Sequence, residues 1–171
     1  MAFVLAQLLG LCALIIVCIG YFLKDKPKFL ISQVIGNFFY ASAFLVVGAY
    51  VGGILVMVSL VRCIYLYYAE KHNFKYTKQV LPIFIVLFIS LGLIFWDTPY
   101  DFIPMITGTI FTLGYSLKNL QVMRYLLITP NVMLVVYNIL CRTYTNAILD
   151  TIETIVIVVA IIKFRKHKRM A

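Results

Sequence analysis

The chain has 171 residues, of which 64% are hydrophobic and 12% charged, and its mean hydropathy is +1.02. A soluble domain carries about 25% charged residues, so this composition excludes a water-soluble globular protein and indicates a membrane protein. The net charge of +9 would suggest nucleic acid as a partner of a soluble protein. In a membrane protein the positive-inside rule explains the charge, and we expect no nucleic-acid partner.

Seven apolar segments follow one another along the chain. A spanning helix needs about 20 mostly apolar residues, with about 17 as the working minimum. We predict helices near Val4–Leu23, Phe29–Val47, Tyr50–Ala69, Gln79–Trp96, Phe102–Leu117, Leu120–Cys141 and Thr145–Phe164. Little more than Gly48 and Ala49 separates the second and third segments, which predicts a tight antiparallel hairpin. The sequence therefore predicts an all-α polytopic membrane protein with seven transmembrane helices.

The distribution of positive charge predicts the orientation. If the seven segments cross the membrane in turn, thirteen of the fifteen Lys and Arg residues fall on the same side of it. They are Lys24, Lys26, Lys28, Lys71, Lys75, Lys78, Lys118, Arg124, Lys163, Arg165, Lys166, Lys168 and Arg169. Asp97 and Asp101 lie on the other side. Because basic residues near segment ends resist translocation, we predict an outside N-terminus and a cytoplasmic C-terminus.

Short matches between the two halves predict an internal repeat. The matches pair Ala49–Leu55 with Thr143–Leu149, Lys28–Ile31 with Arg124–Leu127 after a two-residue shift, and Gly10 with Gly108. Two consecutive units of three helices cross the membrane in opposite directions unless one further helix separates them. The fourth segment is that further helix. We therefore predict a three-plus-one-plus-three arrangement of two parallel triple-helix repeats and a linker helix.

In residue numbers, the predicted single transmembrane domain divides into a first repeat over 1–69, a linker helix over 78–97, a second repeat over 101–165 and a basic cytoplasmic tail over 166–171. Transporters built from parallel repeats hold their substrate between the repeats, near the bilayer midplane. The predicted binding site is therefore central.

Several short motifs resemble one family of membrane proteins. The chain resembles the bacterial inner-membrane YgjV family in the run from Gln33-Val34-Ile35-Gly36-Asn37 through Val47–Gly53 to Leu60-Val61-Arg62. Val136–Ile139, followed by a short turn and the acidic helix start at Asp150 and Glu153, resembles it too. The resemblance covers most of the chain and implies a multi-pass protein of the inner membrane, in a family without an assigned substrate.

The YgjV family is in turn similar to the SWEET and PQ-loop transporters, which implies the same three-plus-one-plus-three layout. The Pro-Gln dipeptide of PQ-loop proteins is absent. Ala6-Gln7 and Pro104-Met105 stand in the corresponding places, and each keeps one half of the dipeptide. Because of this departure, the PQ-loop mechanism is not carried over to this chain.

Polar side chains within the apolar segments are the candidate functional residues, because polar groups are costly inside a bilayer. Residues three, four or seven apart share one face of a helix. Such stripes are Gln33, Asn37 and Tyr40; Ser59 and Arg62; Asn131, Asn138 and Arg142; and Asn146, Asp150 and Glu153. We predict a substrate-binding site formed by Asn37, Tyr40, Arg62, Asn138, Asp150 and Glu153.

Each candidate residue has more than one interpretation. Arg62 and Glu153 lie about 18 Å and about 12 Å into their segments, so their side chains are predicted to meet across a central cavity. Arg62 then binds an anionic group, snorkels to the headgroups or forms a static ion pair. Glu153 takes up a proton or acts as a counter-ion. Asn37 and Asn138 either orient a solute or hold helices together.

The predicted function is transport of a small polar solute by alternating access, either passive or proton-linked. The alternative is a non-transporting membrane scaffold or subunit that binds a partner protein or lipid. We do not expect an enzyme, a metal site or a cofactor, because no pair of His residues shares a helix face and no Ser has a Gly-x-Ser-x-Gly setting. The lipid bilayer is an expected partner. The sequence is compatible with a monomer and with a homodimer.

Overall fold

The structure is a computed structural model that describes residues 2–72, 77–96 and 98–170, apart from the side chains of residues 2, 51, 77–79 and 166–170. Its seven helices are α1 (Ala2–Tyr21), α2 (Lys26–Val46), α3 (Tyr50–Lys71), α4 (Thr77–Ile94), α5 (Phe102–Ser116), α6 (Leu120–Leu140) and α7 (Tyr144–Met170). A single 3₁₀ turn, Pro99–Asp101, precedes α5, and no strand occurs in these ranges.

Each predicted segment corresponds to one helix, and the boundaries agree to within three residues except at the end of α7. That helix continues to Met170 instead of ending at Phe164. Some charges used to predict the orientation fall outside the described residues. Lys75 and Asp97 are in the two internal gaps, and the side chains of Lys78, Lys166, Lys168 and Arg169 are not described either.

Large apolar side chains cover the outside of the bundle, as on α1 and α7, where Ile15 and Ile155 are both more than half exposed. In the part of the chain that the structure describes, four helices are long and apolar enough to cross a membrane. Their spans are Phe3–Tyr21, Lys26–Val46, Gly52–Lys71 and Leu120–Leu140. Helices suit this environment because they satisfy their backbone hydrogen bonds internally. The all-α membrane fold is confirmed, with four of the seven predicted spans meeting this criterion.

The packing follows the same order in the two halves of the chain. Helix α2 packs between α1 and α3, and α6 packs between α5 and α7. Further contacts join α1 to α7 and α3 to α5, which brings the halves together. Helix α4 packs against α3 and α5.

The α2–α3 connection (residues 47–49) and the α6–α7 connection (residues 141–143) define one end of the bundle, called the hairpin end below. Both use the same backbone hydrogen bonds. The N–H groups of Gly48 and Ala49 donate to the carbonyls of Leu45 and Phe44, and those of Arg142 and Thr143 donate to Ile139 and Asn138. This pattern ends a helix by satisfying its last carbonyl groups.

Both turns need one residue in the left-handed conformation, with φ of +75° at Gly48 and 58° at Arg142. Glycine adopts this conformation freely, whereas the Cβ of an arginine crowds the following carbonyl. Helix α6 ends at Leu140. The prediction that Arg142 shares a helix face with Asn131 and Asn138 is therefore wrong, because Arg142 lies in the turn beyond the helix.

The opposite end, called the basic end, carries the α1–α2 connection (residues 22–25) and the α5–α6 connection (residues 117–119). Lys26 lies here, in the first turn of α2, and is only 7% exposed. Its Nζ is 2.8 Å from Oε2 of Glu70 on α3, and it also donates to the carbonyl of Ser116 at the end of α5, at 3.4 Å. Lys26 thus ties the first half of the chain to the second.

Arg124, in the second turn of α6, connects the second half of the chain back to the first. Its Nε donates to the carbonyl of Tyr21 at 3.0 Å, and its Nη2 donates to the carbonyl of Leu23 at 2.7 Å. The guanidinium also lies 4.5 Å from the ring centre of Phe164 on α7. Arg124 therefore satisfies the carbonyl group of the last residue of α1, which has no partner within that helix, and one carbonyl group of the α1–α2 connection.

Between the basic end and the middle of the bundle lies the apolar core. Its fully buried members include Tyr21, Phe29, Leu30, Met123, Leu127 and Ile157. They come from α1, α2, α6 and α7, so this core joins both halves of the chain.

Candidate functional site

A cavity of about 560 Å³ occupies the hairpin-end half of the bundle. All seven helices contribute to its walls. The lining extends from Gly52 and Thr143, near the hairpin end, to Gln33 and Tyr115, next to the apolar core. Its volume falls within the range of about 300–1,000 Å³ that is typical of small-molecule sites.

All six residues predicted to form a substrate site line this cavity. They are Asn37 and Tyr40 on α2, Arg62 on α3, Asn138 on α6, and Asp150 and Glu153 on α7. Helical spacing was enough to place each group on an inward face. That these residues bind a substrate stays a prediction.

Arg62 extends across the bundle from α3 to α5 and is 3% exposed. Its Nη1 donates to Oγ1 of Thr112 at 2.9 Å and to the carbonyl of Gly108 at 3.2 Å. The guanidinium also lies about 5 Å from the ring centres of Phe88 and Tyr115, at 5.1 Å and 5.2 Å. Such contacts place a cation over the negative faces of aromatic rings.

Gly108 makes the position of Arg62 possible. A Cβ at this residue would lie 2.9 Å from the ring of Phe88, so any larger residue would displace the aromatic contact. The interpretation that Arg62 snorkels to the headgroups is wrong, because its head is held by α5. The predicted meeting of Arg62 with Glu153 is also wrong as a direct contact, since no ion pair joins them in the described structure.

Glu153 has a different partner at the inner limit of the cavity. The hydroxyl of Tyr21, which is fully buried on α1, donates to Oε1 of Glu153 at 2.7 Å. In the described part of the chain, no Lys or Arg pairs with this carboxylate. Glu153 therefore presents a carboxylate to the cavity that is held in place by a neutral donor.

Asp150, one helical turn away, is also held by neutral groups. Asn138 Nδ2 donates to Oδ2 of Asp150 at 2.7 Å, and Thr143 Oγ1 donates to Oδ1 of Asn138 at 2.7 Å. The second contact orients the amide so that its NH₂ group points at Asp150. The charged groups of the cavity lining are Asp150, Glu153 and Arg62, two carboxylates and one cation.

On α2, Asn37 and Tyr40 face the cavity beside Gln33. Asn37 Nδ2 donates to the carbonyl of Gln33 at 2.7 Å, one turn back along its own helix. Tyr40 is half-buried. The side chain of Gln33 is almost wholly buried, and its Oε1 accepts a hydrogen bond from the hydroxyl of Tyr115 at 3.2 Å.

Sequence reasoning missed the supporting residues of the site. Tyr21, Thr112 and Tyr115 hold the ionised or amide groups of the cavity in position. Tyrosine and threonine are common in apolar helices and carry no charge, so no sequence pattern distinguished them. Only the packing of α1 and α5 against α7, α3 and α2 assigns them a role.

The family model for Imp-YgjV, a bacterial inner membrane protein, matches residues 4–168. The chain belongs to the YgjV family. The resemblance carried by the Gln33–Asn37 and Val136–Ile139 motifs is thereby confirmed, and so is the inner-membrane location. No curated protein and no solved structure matches the chain. The relationship of the YgjV family to SWEET and PQ-loop transporters stays a prediction.

Proposed function

We propose that this YgjV protein carries a small polar solute across the inner membrane by alternating access through the central cavity. The observation that carries the proposal is the cavity itself, because Arg62, Asp150 and Glu153 all line one void inside the bundle. Charged groups inside a membrane are costly and typically mark a pathway for a substrate or an ion. A protein that only scaffolds others has no need of such a void.

The two ends of the bundle differ in a way that favours this mechanism. The cavity lies in the hairpin-end half, whereas the basic end is closed by the apolar core and by the contacts of Lys26 and Arg124. In the proposed orientation the hairpin end faces outside and the basic end faces the cytoplasm. The structure then corresponds to a state closed on the cytoplasmic side, and transport requires a second state with that side open.

Features that recur at a fixed distance support the three-plus-one-plus-three arrangement. The left-handed residues Gly48 and Arg142, the helix N-cap residues Asp25 and Asn119, and the back-bonded Asn37 and Asn131 are each separated by 94 residues. This common register favours an alignment without the two-residue shift. In this arrangement α4 is the linker between two parallel repeats, and a solute site between them is expected.

The test is the accessibility of single cysteines to a membrane-impermeant thiol reagent. The native residues Cys12, Cys18, Cys63 and Cys141 are first replaced by alanine. Ser59→Cys then places a thiol in the cavity, and Leu127→Cys places one in the core towards the basic end. Val61→Cys, on the exposed apolar face of α3, is the matched control.

We expect Ser59→Cys to react from the outside of the cell and Leu127→Cys to react, more slowly, from the cytoplasmic side of inverted vesicles. Val61→Cys should stay unreactive from both sides because lipid covers it. If the cysteine at position 59 is sealed from both sides, the cavity is not a solute pathway. The alternative, a scaffold or subunit that binds protein or lipid, would then be favoured.

A further inference from the structure

We propose that the solute is a small zwitterion of the amino-acid class. Its ammonium group binds Asp150 and Glu153, and its carboxylate binds Arg62 and Gln33. This inference rests on the proposed transport function, because it assigns a chemical class to the solute of the same cavity.

The wall formed by α7 is suited to a cationic donor. Asp150 and Glu153 are three residues apart and therefore lie on one face of the helix. Each carboxylate accepts one hydrogen bond from a neutral side chain, Asn138 for Asp150 and Tyr21 for Glu153. A carboxylate has about four acceptor sites, so both retain capacity for the N–H groups of a ligand.

The opposite wall offers donors that lack acceptors. In the described part of the chain, the buried side-chain polar atoms without a hydrogen-bond partner are Nε2 of Gln33, Nε of Arg62 and Oγ1 of Thr98. The first two belong to residues that are each 3% exposed and line the cavity. Buried donors are nearly always hydrogen-bonded in folded proteins, so these two N–H groups retain capacity for an acceptor such as a carboxylate.

The two walls are close to each other. Glu153 binds the hydroxyl of Tyr21, and Gln33 binds the hydroxyl of Tyr115. The ring of Phe29 packs against both tyrosines, 5.5 Å from the ring centre of Tyr21 and 5.6 Å from that of Tyr115. A ligand that reaches both walls is therefore short, with its two charges only a few bonds apart.

Simpler ligands match the cavity less well. A plain amine would leave the donors of Arg62 and Gln33 unpaired. A plain carboxylate or phosphate would lie against Asp150 and Glu153, which repel an anion. A sugar would supply hydroxyl groups but would leave every charge of the cavity without an ionic partner.

The test uses the purified full-length protein in lipid nanodiscs and the standard amino acids as probes. Each amino acid is compared with its C-terminal amide, which lacks the carboxylate, and with its N-acetyl derivative, which lacks the ammonium group. We expect at least one amino acid to raise Tm and to bind in calorimetry, with both derivatives about tenfold weaker or more, a difference of about 1.4 kcal/mol. Equal binding of either derivative, or no amino acid that binds, would overturn the inference.

Two variants test which wall of the cavity binds the ammonium group and which binds the carboxylate. Glu153→Gln should weaken the amino acid about tenfold, because the ammonium group loses its partner. It should not weaken the anionic N-acetyl derivative, which has no ammonium group and is repelled by the carboxylate. Gln33→Met should weaken the amino acid and leave the amide unchanged. A purely structural role would weaken all ligands equally. Thr151→Ala, an exposed position on α7, is the matched control, and Asp150→Asn replaces Glu153→Gln if that variant does not fold.

Counterflow in proteoliposomes separates this inference from the proposed function. If an amino acid binds with the expected preference but shows no counterflow, the transport proposal is refuted and the zwitterion site is supported. If an amine, an organic acid or a sugar shows counterflow and no amino acid does, the transport proposal is supported and the zwitterion site is refuted.

Discussion

Arg124→Met should open the basic end of the protein. Arg124 is 3% exposed, and its guanidinium makes two hydrogen bonds to the carbonyl groups of Tyr21 and Leu23. A hydrogen bond to a charged group contributes about 1.5–3 kcal/mol, and the lower value is appropriate if water reaches the carbonyls after the substitution. The two bonds together then contribute about 3 kcal/mol to the closed state.

That free energy changes the balance between closed and open states. If both bonds break when the basic end opens, a loss of about 3 kcal/mol raises the open-to-closed ratio by about 150-fold. The assay is the labelling rate of Leu127→Cys from the cytoplasmic side, measured in the cysteine-free background with and without Arg124→Met. We expect faster labelling together with a lower Tm.

Arg124→Lys is the matched control for charge. It keeps the positive charge that orients the chain, but one ammonium group does not reproduce the guanidinium geometry that reaches both carbonyls. We expect an intermediate labelling rate. An Arg124→Met protein with the parent's labelling rate and Tm would refute the reasoning, since the carbonyls would then be satisfied without Arg124.

Gly48→Ala should lower stability by about 1–2 kcal/mol in chemical unfolding, because the turn residue is left-handed; Arg142→Gly, at the equivalent turn, should be neutral or stabilising. Gly20→Ala should lower Tm, at a cost of about 1–3 kcal/mol, because the new Cβ would overlap Ser32. Gly10→Ala is its control and should not lower Tm, since no atom lies within 4 Å of the added Cβ. Asn138→Ala should weaken solute binding about tenfold or more in calorimetry, because Asp150 loses the donor that positions it.

Apart from Arg142, the polar residues selected by their spacing share one cavity, but the spacing misjudged what they contact. Arg62 and Glu153 were expected to meet because both lie deep in their segments. In the structure, α5 intervenes with Thr112 and the carbonyl of Gly108, and α1 reaches Glu153 with Tyr21. Depth along a helix is a one-dimensional quantity, and it does not specify which neighbouring helix faces a given side chain.

The class of the protein and the positions of its helices could be predicted from the amino-acid pattern alone. Long apolar segments exclude water as the solvent, and lipid requires the backbone to satisfy its own hydrogen bonds, so composition was sufficient for an all-helical membrane fold. Motifs such as Gln33–Asn37 were also sufficient to indicate the YgjV family. These properties are local along the chain, and for that reason they can be predicted without a partner helix.

The packing of the helices, by contrast, was needed to show which end of the bundle is closed and which donors of the cavity are unpaired. Lys26 and Arg124 were interpreted as charges that orient the chain, yet they also hold together helix ends that are distant in sequence. The donors of Gln33 and Arg62 are unpaired because no neighbouring helix places an acceptor beside them. A missing contact has no signal in the sequence, because it is a property of the packed bundle.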